Sequence, residues 1–330
     1  MSENYHILNP GELKRQENTL VFRPKIDDKE VTHIPINSVE TILFHSSVDI
    51  NTKTLQLLNQ HSISVYFFNW KGKFIGSFIP EQSPKSGELL VKQVESTQHP
   101  ERRAKISQQL ISGSIYNMKR NLQYYNENSE FSEEIDTFEN LQDRLKDNKT
   151  REDLMGIEAT ARQKYYQLFD EIISSFEFTR RTYNPPQNEI NAAISFGNSV
   201  LYSNVSSAIC KTGLTPTISY LHVSGNRRDS LSLDLADIFK PVIVDRIIIR
   251  LFNRNQLTES DFEVKTNNAM FTESGKKTFL SEYEDVLETT IEHPDLNRHV
   301  SYQTLLRLEA QKLKKSILTN EDYNSFKRWW

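Results

Sequence analysis

Near residue 80 the apolar residues of this chain change their repeat, and that change restricts the fold more than any other feature of the sequence. Before it lie short β-branched and aromatic runs broken by polar connections: Leu20 to Arg23, Val31 to Ile36, Thr41 to Phe44 and Ile63 to Phe68. These read as strands, with one short helix predicted from about Asn51 to Gln60. Asn69 to Gly72 reads as a turn and Lys73 to Ile79 as its hairpin partner. Pro80 to Gly87, rich in Pro, Ser and Gly, is the best linker. Beyond it apolar residues fall at helical intervals. Helices are expected over Arg102 to Tyr124, more loosely over the acidic stretch Tyr125 to Asn148, and from Thr150, where Thr150 and Asp153 have capping-box spacing. A long helix spans Asn188 to Lys211 and is stopped by Gly213 and Pro216. Another runs from Ser230 to Asn253, bent or divided at Pro241. The expectation is an α+β chain: a small N-terminal β-rich domain over 1–85, followed by a larger all-α domain over 86–330.

At 330 residues two cores are expected. The composition, 37% hydrophobic and 25% charged, is that of a globular protein rather than a disordered one. No apolar run is long enough to span a membrane, no secretory leader is visible, and the lone Cys210 excludes an internal disulfide or thiolate cluster. The cytoplasm is the expected compartment. A net charge of −4 argues mildly against nucleic acid, but the charges are segregated. Acidic residues gather at Glu127 to Glu139 and Glu282 to Glu292; basic ones gather at Arg102–Arg103, Arg180–Arg181 and Arg227–Arg228, and as a four-residue repeat at Arg246, Arg250 and Arg254.

Three features carry possible chemistry. Leu154, Glu158, Ala161, Tyr165 and Leu168 share one helix face, apolar except for Glu158. A carboxylate there must meet a cation or donors, or sit solvated at the edge of the stripe. His222 lies between an apolar stretch and a basic loop, where a structural role competes with a ligand role. Asp234 and Asp237 project from one helix face, and Lys240 continues that face, so Lys240 can relieve their repulsion without any metal. Together these side chains supply oxygen ligands and one imidazole, a set suited to Mg²⁺ or Mn²⁺. There is no CxxC, HExxH, Walker loop, GxGxxG or GxSxG, so zinc enzymes, nucleotide hydrolases, Rossmann dehydrogenases and α/β-hydrolases lose their usual support.

Met155 to Tyr166 resembles the glutamate-bearing helix of the CRISPR-associated protein one family, the adaptation integrases. Tyr183 to Gly197, Gly213 to Pro216, Leu221–His222 and Ser232 to Pro241 resemble its following segments in order and spacing. Ile34 to Ile36, Val39 to Phe44 and Ile63 to Phe68 resemble its β domain. The resemblance spans nearly the whole chain. It implies a metal held by Glu158, His222 and Asp237, with Asp234 supporting and Tyr202 and Lys240 at the active site. Ala159 and Asn198 depart from the family pattern, where a glycine and an aromatic are common.

The implied activity is metal-dependent DNA cutting and joining, in which 3′-hydroxyl ends of protospacer DNA are inserted into the CRISPR repeat. A covalent Tyr202 intermediate competes with it, but Tyr202 lies in a long apolar helix, where packing with its hydroxyl toward the site is the expectation, and a nucleophile would need its own activating base. Arg246, Arg250, Arg254, Arg180 and Arg181 are candidate DNA contacts. The implied partners are DNA, a second copy of the chain and CRISPR-associated protein two, with no membrane. The rival readings are a non-catalytic DNA-binding scaffold and a generic metal-dependent nuclease. Trp329 and Trp330 either dock or fray.

Overall fold

The computed structural model describes residues 3–26, 29–81, 86–126, 131–147, 150–173, 175–222 and 229–329. The chain separates into two compact units, 1–84 and 85–330.

The first unit holds two four-stranded sheets. Strands β1 (Glu3–Ile7), β2 (Gly11–Gln16), β3 (Thr19–Pro24) and β4 (Thr32–Ile34) come first, followed by β5 (Val39–Phe44) and β6 (Val48–Ile50). Helix α1 (Thr52–Gln60) then leads into the hairpin β7 (Ser64–Phe68) and β8 (Phe74–Phe78). One sheet runs β1-β5-β7-β8, parallel except for the last pair; the other runs β4-β3-β2-β6. Leu13, Phe22, Ile42, Phe44, Leu58 and Val65 form part of the core of this unit. Gly11 is required because a Cβ there would lie 2.5 Å from the Arg23 carbonyl oxygen. Helix α1 starts where expected because the Asn51 side chain accepts the Thr54 N–H at 3.0 Å.

The second unit is mostly helical. It contains α2 (Gly87–Gln98), α3 (Pro100–Tyr125), α4 (Ser132–Asp147), α5 (Arg151–Gln167), the single turn α6 (Phe169–Ile172) and α7 (Glu189–Thr212). Helices α8 (Ser230–Phe239) and α9 (Arg246–Asn253) are joined by a π-helical turn over Pro241–Asp245. Proline lacks the N–H that would continue the ladder, and the turn closes instead by an Asp245 N–H to Lys240 carbonyl bond of 3.0 Å. The chain ends with β9 (Phe262–Lys265), β10 (Asn268–Phe271), α10 (Glu273–Glu288), β11 (Thr290–His293), β12 (Arg298–Ser301) and α11 (Tyr302–Thr319). The helical domain is therefore not purely α: it carries two small antiparallel hairpins, β9–β10 and β11–β12.

Helix α3 packs against α4, α5 and α8, and α7 packs against α8 and α11. A Cβ on Gly197 of α7 would lie 2.6 Å from the Phe279 ring and 2.7 Å from Val244, so α7, α10 and the π turn meet there without room for a side chain. Gly213 ends α7 at φ 83°, the left-handed cap expected of it.

The tail after α11 is docked on its own unit. Glu309 accepts from the Tyr323 hydroxyl and, at 3.0 Å, from the Phe326 N–H. Trp329 Nε1 donates to the Glu292 carbonyl at 3.1 Å. Trp330 lies outside the described residues, as do Arg227–Arg228 and both edges of the acidic stretch before α5.

Candidate active site

Helices α5 and α8 bring the expected carboxylates together, through a residue whose role the sequence did not announce. Arg162 lies one turn beyond Glu158 on α5. Its Nε donates to Glu158 Oε1 at 2.6 Å, and its Nη2 stands 3.2 Å from Asp237 Oδ1 on α8. Asp237 is also salt-bridged to Lys240, which lies three residues further on. Glu158 is thus neither solvated nor buried alone; its side chain is 17% exposed and paired. Leu154, Ala161, Tyr165 and Leu168, which share its face, are buried. The only sign of Arg162 in the sequence was its position four residues after Glu158, where an acid and a guanidinium meet on a helix.

Asp234 is nearly inaccessible at 1% exposure, and it organises the segment that carries His222. Its carboxylate accepts backbone N–H bonds from Tyr220 at 2.7 Å, Leu221 at 3.1 Å and His222 at 3.0 Å. It also accepts the His222 ring at Nδ1, 2.7 Å away. Since an ionised carboxylate only accepts, Nδ1 carries the proton and Nε2 is left for other work. Arg103 and Arg151 pin the same segment from outside, donating to the Tyr220 and Leu221 carbonyls at 2.7 and 2.6 Å.

The electrostatics are those of a dense, buried charge cluster. Burial works against the Asp237 carboxylate, but Arg162, Lys240 and His222 outweigh it and bring its pKa down to about 2. Burial also opposes charge on Lys240 and on His222. In Lys240 it is overcome chiefly by Asp237, and in His222 by the Asp234 hydrogen bond and the Asp237 charge, so both pKa values rise. The Lys240 ammonium lies 4.9 Å from the centre of the Tyr202 ring, supplied by α7. Asp245, at the end of the π turn, is fully buried, with the Tyr166 hydroxyl as its hydrogen-bonding neighbour. Desolvation lifts its pKa to about 7 against the pull of Arg162, Lys240 and Arg181. Neither Arg162 nor Asp245 was singled out from the sequence.

The five arginines expected to meet DNA do not behave alike. Arg181 is turned inward, donating to Asn191 Oδ1 and Ser195 Oγ at 2.9 Å each. Arg250 is ion-paired with Glu282 of α10. Arg180 and Arg254 are exposed, and Arg246 stacks on the Tyr124 ring.

Among the described residues, no three acidic, histidine or cysteine groups are arranged around a common point that could hold a metal ion. Arg162 bridges the two carboxylates instead. The donor chemistry still fits a hard divalent cation: two carboxylates share one guanidinium, and an imidazole is oriented by a carboxylate behind it, as metal-bound histidines usually are.

A strand-rich unit followed by a helical unit that encloses two bridged carboxylates, an oriented imidazole and a buried lysine defines a class of proteins with a charged centre inside an α domain. The family model for CRISPR associated protein Cas1 matches residues 5–285. The CRISPR-associated endonuclease Cas1 of Haloferax volcanii is 41% identical over 99% of both chains. That of Clostridium perfringens is 40% identical over the whole of both. A solved Cas1 protein from Thermotoga maritima superposes with a TM-score of 0.87 at 33% identity, covering 98% of this chain and all of that one. The chain belongs to the Cas1 family. A casposase bound to integration product shares the fold at TM-score 0.87 and 19% identity, covering 99% of this chain and 93% of its own. No helix among the described residues is long and apolar enough to cross a membrane.

Proposed function

We propose that the chain is a metal-dependent DNA endonuclease and integrase of CRISPR adaptation, joining 3′-hydroxyl ends of protospacer DNA into the CRISPR repeat by transesterification. The observation that carries this reading is the convergence of Glu158 and Asp237 on Arg162 beside an imidazole held by Asp234. Relatives named as endonucleases and a fold shared with a casposase bound to integration product support it. Glu158, His222 and Asp237 would hold Mg²⁺ or Mn²⁺, which when bound supplies Lewis-acid activation of a phosphodiester and of a hydroxyl nucleophile.

The chain's own residues do the rest. Asp234 fixes the rotation and tautomer of His222, presenting Nε2. Lys240, held charged by Asp237 and seated on Tyr202, offers an ammonium to a phosphate oxygen. Arg162 favours the ionised form of Asp237 and pairs with Glu158. Tyr202 packs under Lys240, whose ammonium lies 4.9 Å from the ring centre, and the proposed attack on the scissile phosphorus is by a DNA hydroxyl rather than by the protein. Joining at both ends of a repeat needs two sites at fixed separation, which a second copy and a CRISPR-associated protein two core provide; Cas6-RT-Cas1–Cas2 complexes sharing the fold support that assembly. The strand-rich unit is the proposed dimerisation element. The site and the exposed Arg180 and Arg254 are proposed to face DNA.

One observation favours a second reading, a DNA-binding scaffold without chemistry: Arg162 and Lys240 already neutralise the carboxylates. A strand-joining assay on a repeat-containing duplex with Mn²⁺ separates the readings. The proposal expects joined products from the native protein and none from Glu158→Gln or Asp237→Asn. Cutting without joining identifies a generic nuclease, and binding without either identifies the scaffold.

A further inference from the structure

Three guanidinium groups from three separate elements gather around the last turns of α3. Arg120 lies on α3, Arg246 opens α9, and Arg328 lies in the tail. The tail is fixed there by side chains of α3: the Arg328 N–H donates to Asn117 Oδ1 at 2.9 Å, and its Nη1 lies 3.4 Å from Asn121 Oδ1. A Cβ on Gly113 would lie 2.9 Å from the Phe326 carbonyl oxygen, so the tail lies directly on α3 at this point.

Three other arginines of this unit face acceptors of their own: Arg250 faces Glu282, Arg162 faces two carboxylates, and Arg102 faces the Ser316 and Glu321 carbonyls at the end of α11. Arg120 donates from Nη1 to Gln123 Oε1 at 3.1 Å, a neutral acceptor that leaves its charge uncompensated. Neither Arg120 nor Arg246 forms an ion pair with a carboxylate among the described residues, and the buried Arg120 Nε and Arg246 Nη1 have no hydrogen-bond partner. Burial, together with repulsion from Arg246 and Arg120, lowers the pKa of Arg328, with Tyr302 and Tyr125 acting the other way. Like charges gathered without a carboxylate to balance Arg120 and Arg246 are unfavourable by themselves, and an oxyanion would balance them.

A flat ring adjoins the cluster. The Arg246 guanidinium lies 4.7 Å from the centre of the Tyr124 ring, and Tyr125 meets that ring edge-on at 4.9 Å. Tyr124 is nonetheless 61% exposed, unusual for an aromatic flanked on two sides. An aromatic ring backed by a cation and set beside a phosphate site is the pairing that single-strand binders use, since every unpaired base has a face to stack. In a duplex those faces are already covered by neighbouring base pairs.

We propose that Arg120, Arg246 and Arg328, with the Tyr124 ring, bind a backbone phosphate and the adjoining unpaired base of a DNA single strand. The inference rests on the proposed DNA-joining function only in taking the strand to be DNA. It places the contact at α3, α9 and the tail rather than along the whole arginine repeat of α9.

The test is fluorescence anisotropy of the intact protein with a labelled oligothymidylate, and with a blunt duplex, over a salt series in EDTA. Arg246→Gln and Arg120→Gln are each expected to weaken oligothymidylate binding about tenfold and to lower the salt slope by about one. Tyr124→Ala is expected to weaken it by about tenfold as well, while leaving duplex affinity unchanged. Tyr124→Phe, which keeps the ring, binds as the native protein does, and Arg246→Lys, which keeps the charge, falls between native and Arg246→Gln. Native affinity in both Arg246→Gln and Tyr124→Ala overturns the proposal. So does equal weakening of oligothymidylate and duplex by Tyr124→Ala. Full displacement of the strand by millimolar inorganic phosphate overturns it too, leaving a site for a free anion only. Joining is not read in this assay, so failure of the catalytic reading leaves each outcome intact.

Discussion

Asp245 is the residue whose environment and charge agree least. It is enclosed on a π turn, and desolvation outweighs the nearby Arg162, Lys240 and Arg181 and the Tyr166 hydroxyl to raise its pKa to about 7. An acid with a raised folded pKa keeps its proton in the native state after the unfolded chain has lost it. Its contribution therefore turns against folding as pH rises from the unfolded pKa, near 4, through about 7. Asp245→Asn is expected to lose less stability than the native protein between pH 5 and pH 8, by about 2–3 kcal/mol, in urea unfolding followed by circular dichroism. Parallel curves for the two proteins would refute the assignment. Asp234 is the opposite case, with every bond of its carboxylate in use. Asp234→Ala leaves three backbone N–H groups and the His222 ring without their acceptor, and should destabilise the fold by about 3 kcal/mol in the same measurement. These two residues also show what sequence could and could not reveal. Glu158, Asp234 and Asp237 stood out because charged groups interrupt apolar stripes of regular helices. Asp245 did not, because the π turn after Pro241 inserts a residue and shifts the register by which an inward-facing acid would be recognised.

Among the elements, those with strong periodicity were legible and those set by contact were not. Helices α3, α5, α7 and α8 appear near their expected bounds because their caps, Thr150, Asn188 and Gly213 among them, are written locally. The hairpins β9–β10 and β11–β12 were missed. Their strands are four residues each, too short for alternation to be distinguished from a loop, and β10 is placed by packing against α7. Helix α7 is held close to α10 and the π turn at Gly197. Gly197→Ala is expected to lower stability by about 1–3 kcal/mol through overpacking against Phe279 and Val244. Unchanged thermal unfolding would show that these elements can separate cheaply.

At the scale of the whole molecule, each unit has its own core, and the break between them was visible as a change of apolar repeat. The role of the tail was not visible, because nothing in Tyr323 to Trp329 is periodic; its position depends on acceptors and donors on α3, α11 and β11. Removing residues after Thr319 strips Glu309 of the Tyr323 and Phe326 donors and uncovers buried apolar surface. The shortened chain is expected to unfold at lower temperature in its helical unit, by calorimetry, while the strand-rich unit is unaffected. An unchanged profile would make the tail an ornament of the fold.

The central claim is that Glu158, Asp237 and His222 act together on one hard cation. Electron paramagnetic resonance of Mn²⁺ titrated into the intact protein tests it most directly. The account predicts a single tight site in the native protein, lost in Glu158→Gln and Asp237→Asn and weakened in His222→Gln, with the fold of each variant intact by circular dichroism. Native Mn²⁺ affinity in all three variants would contradict it.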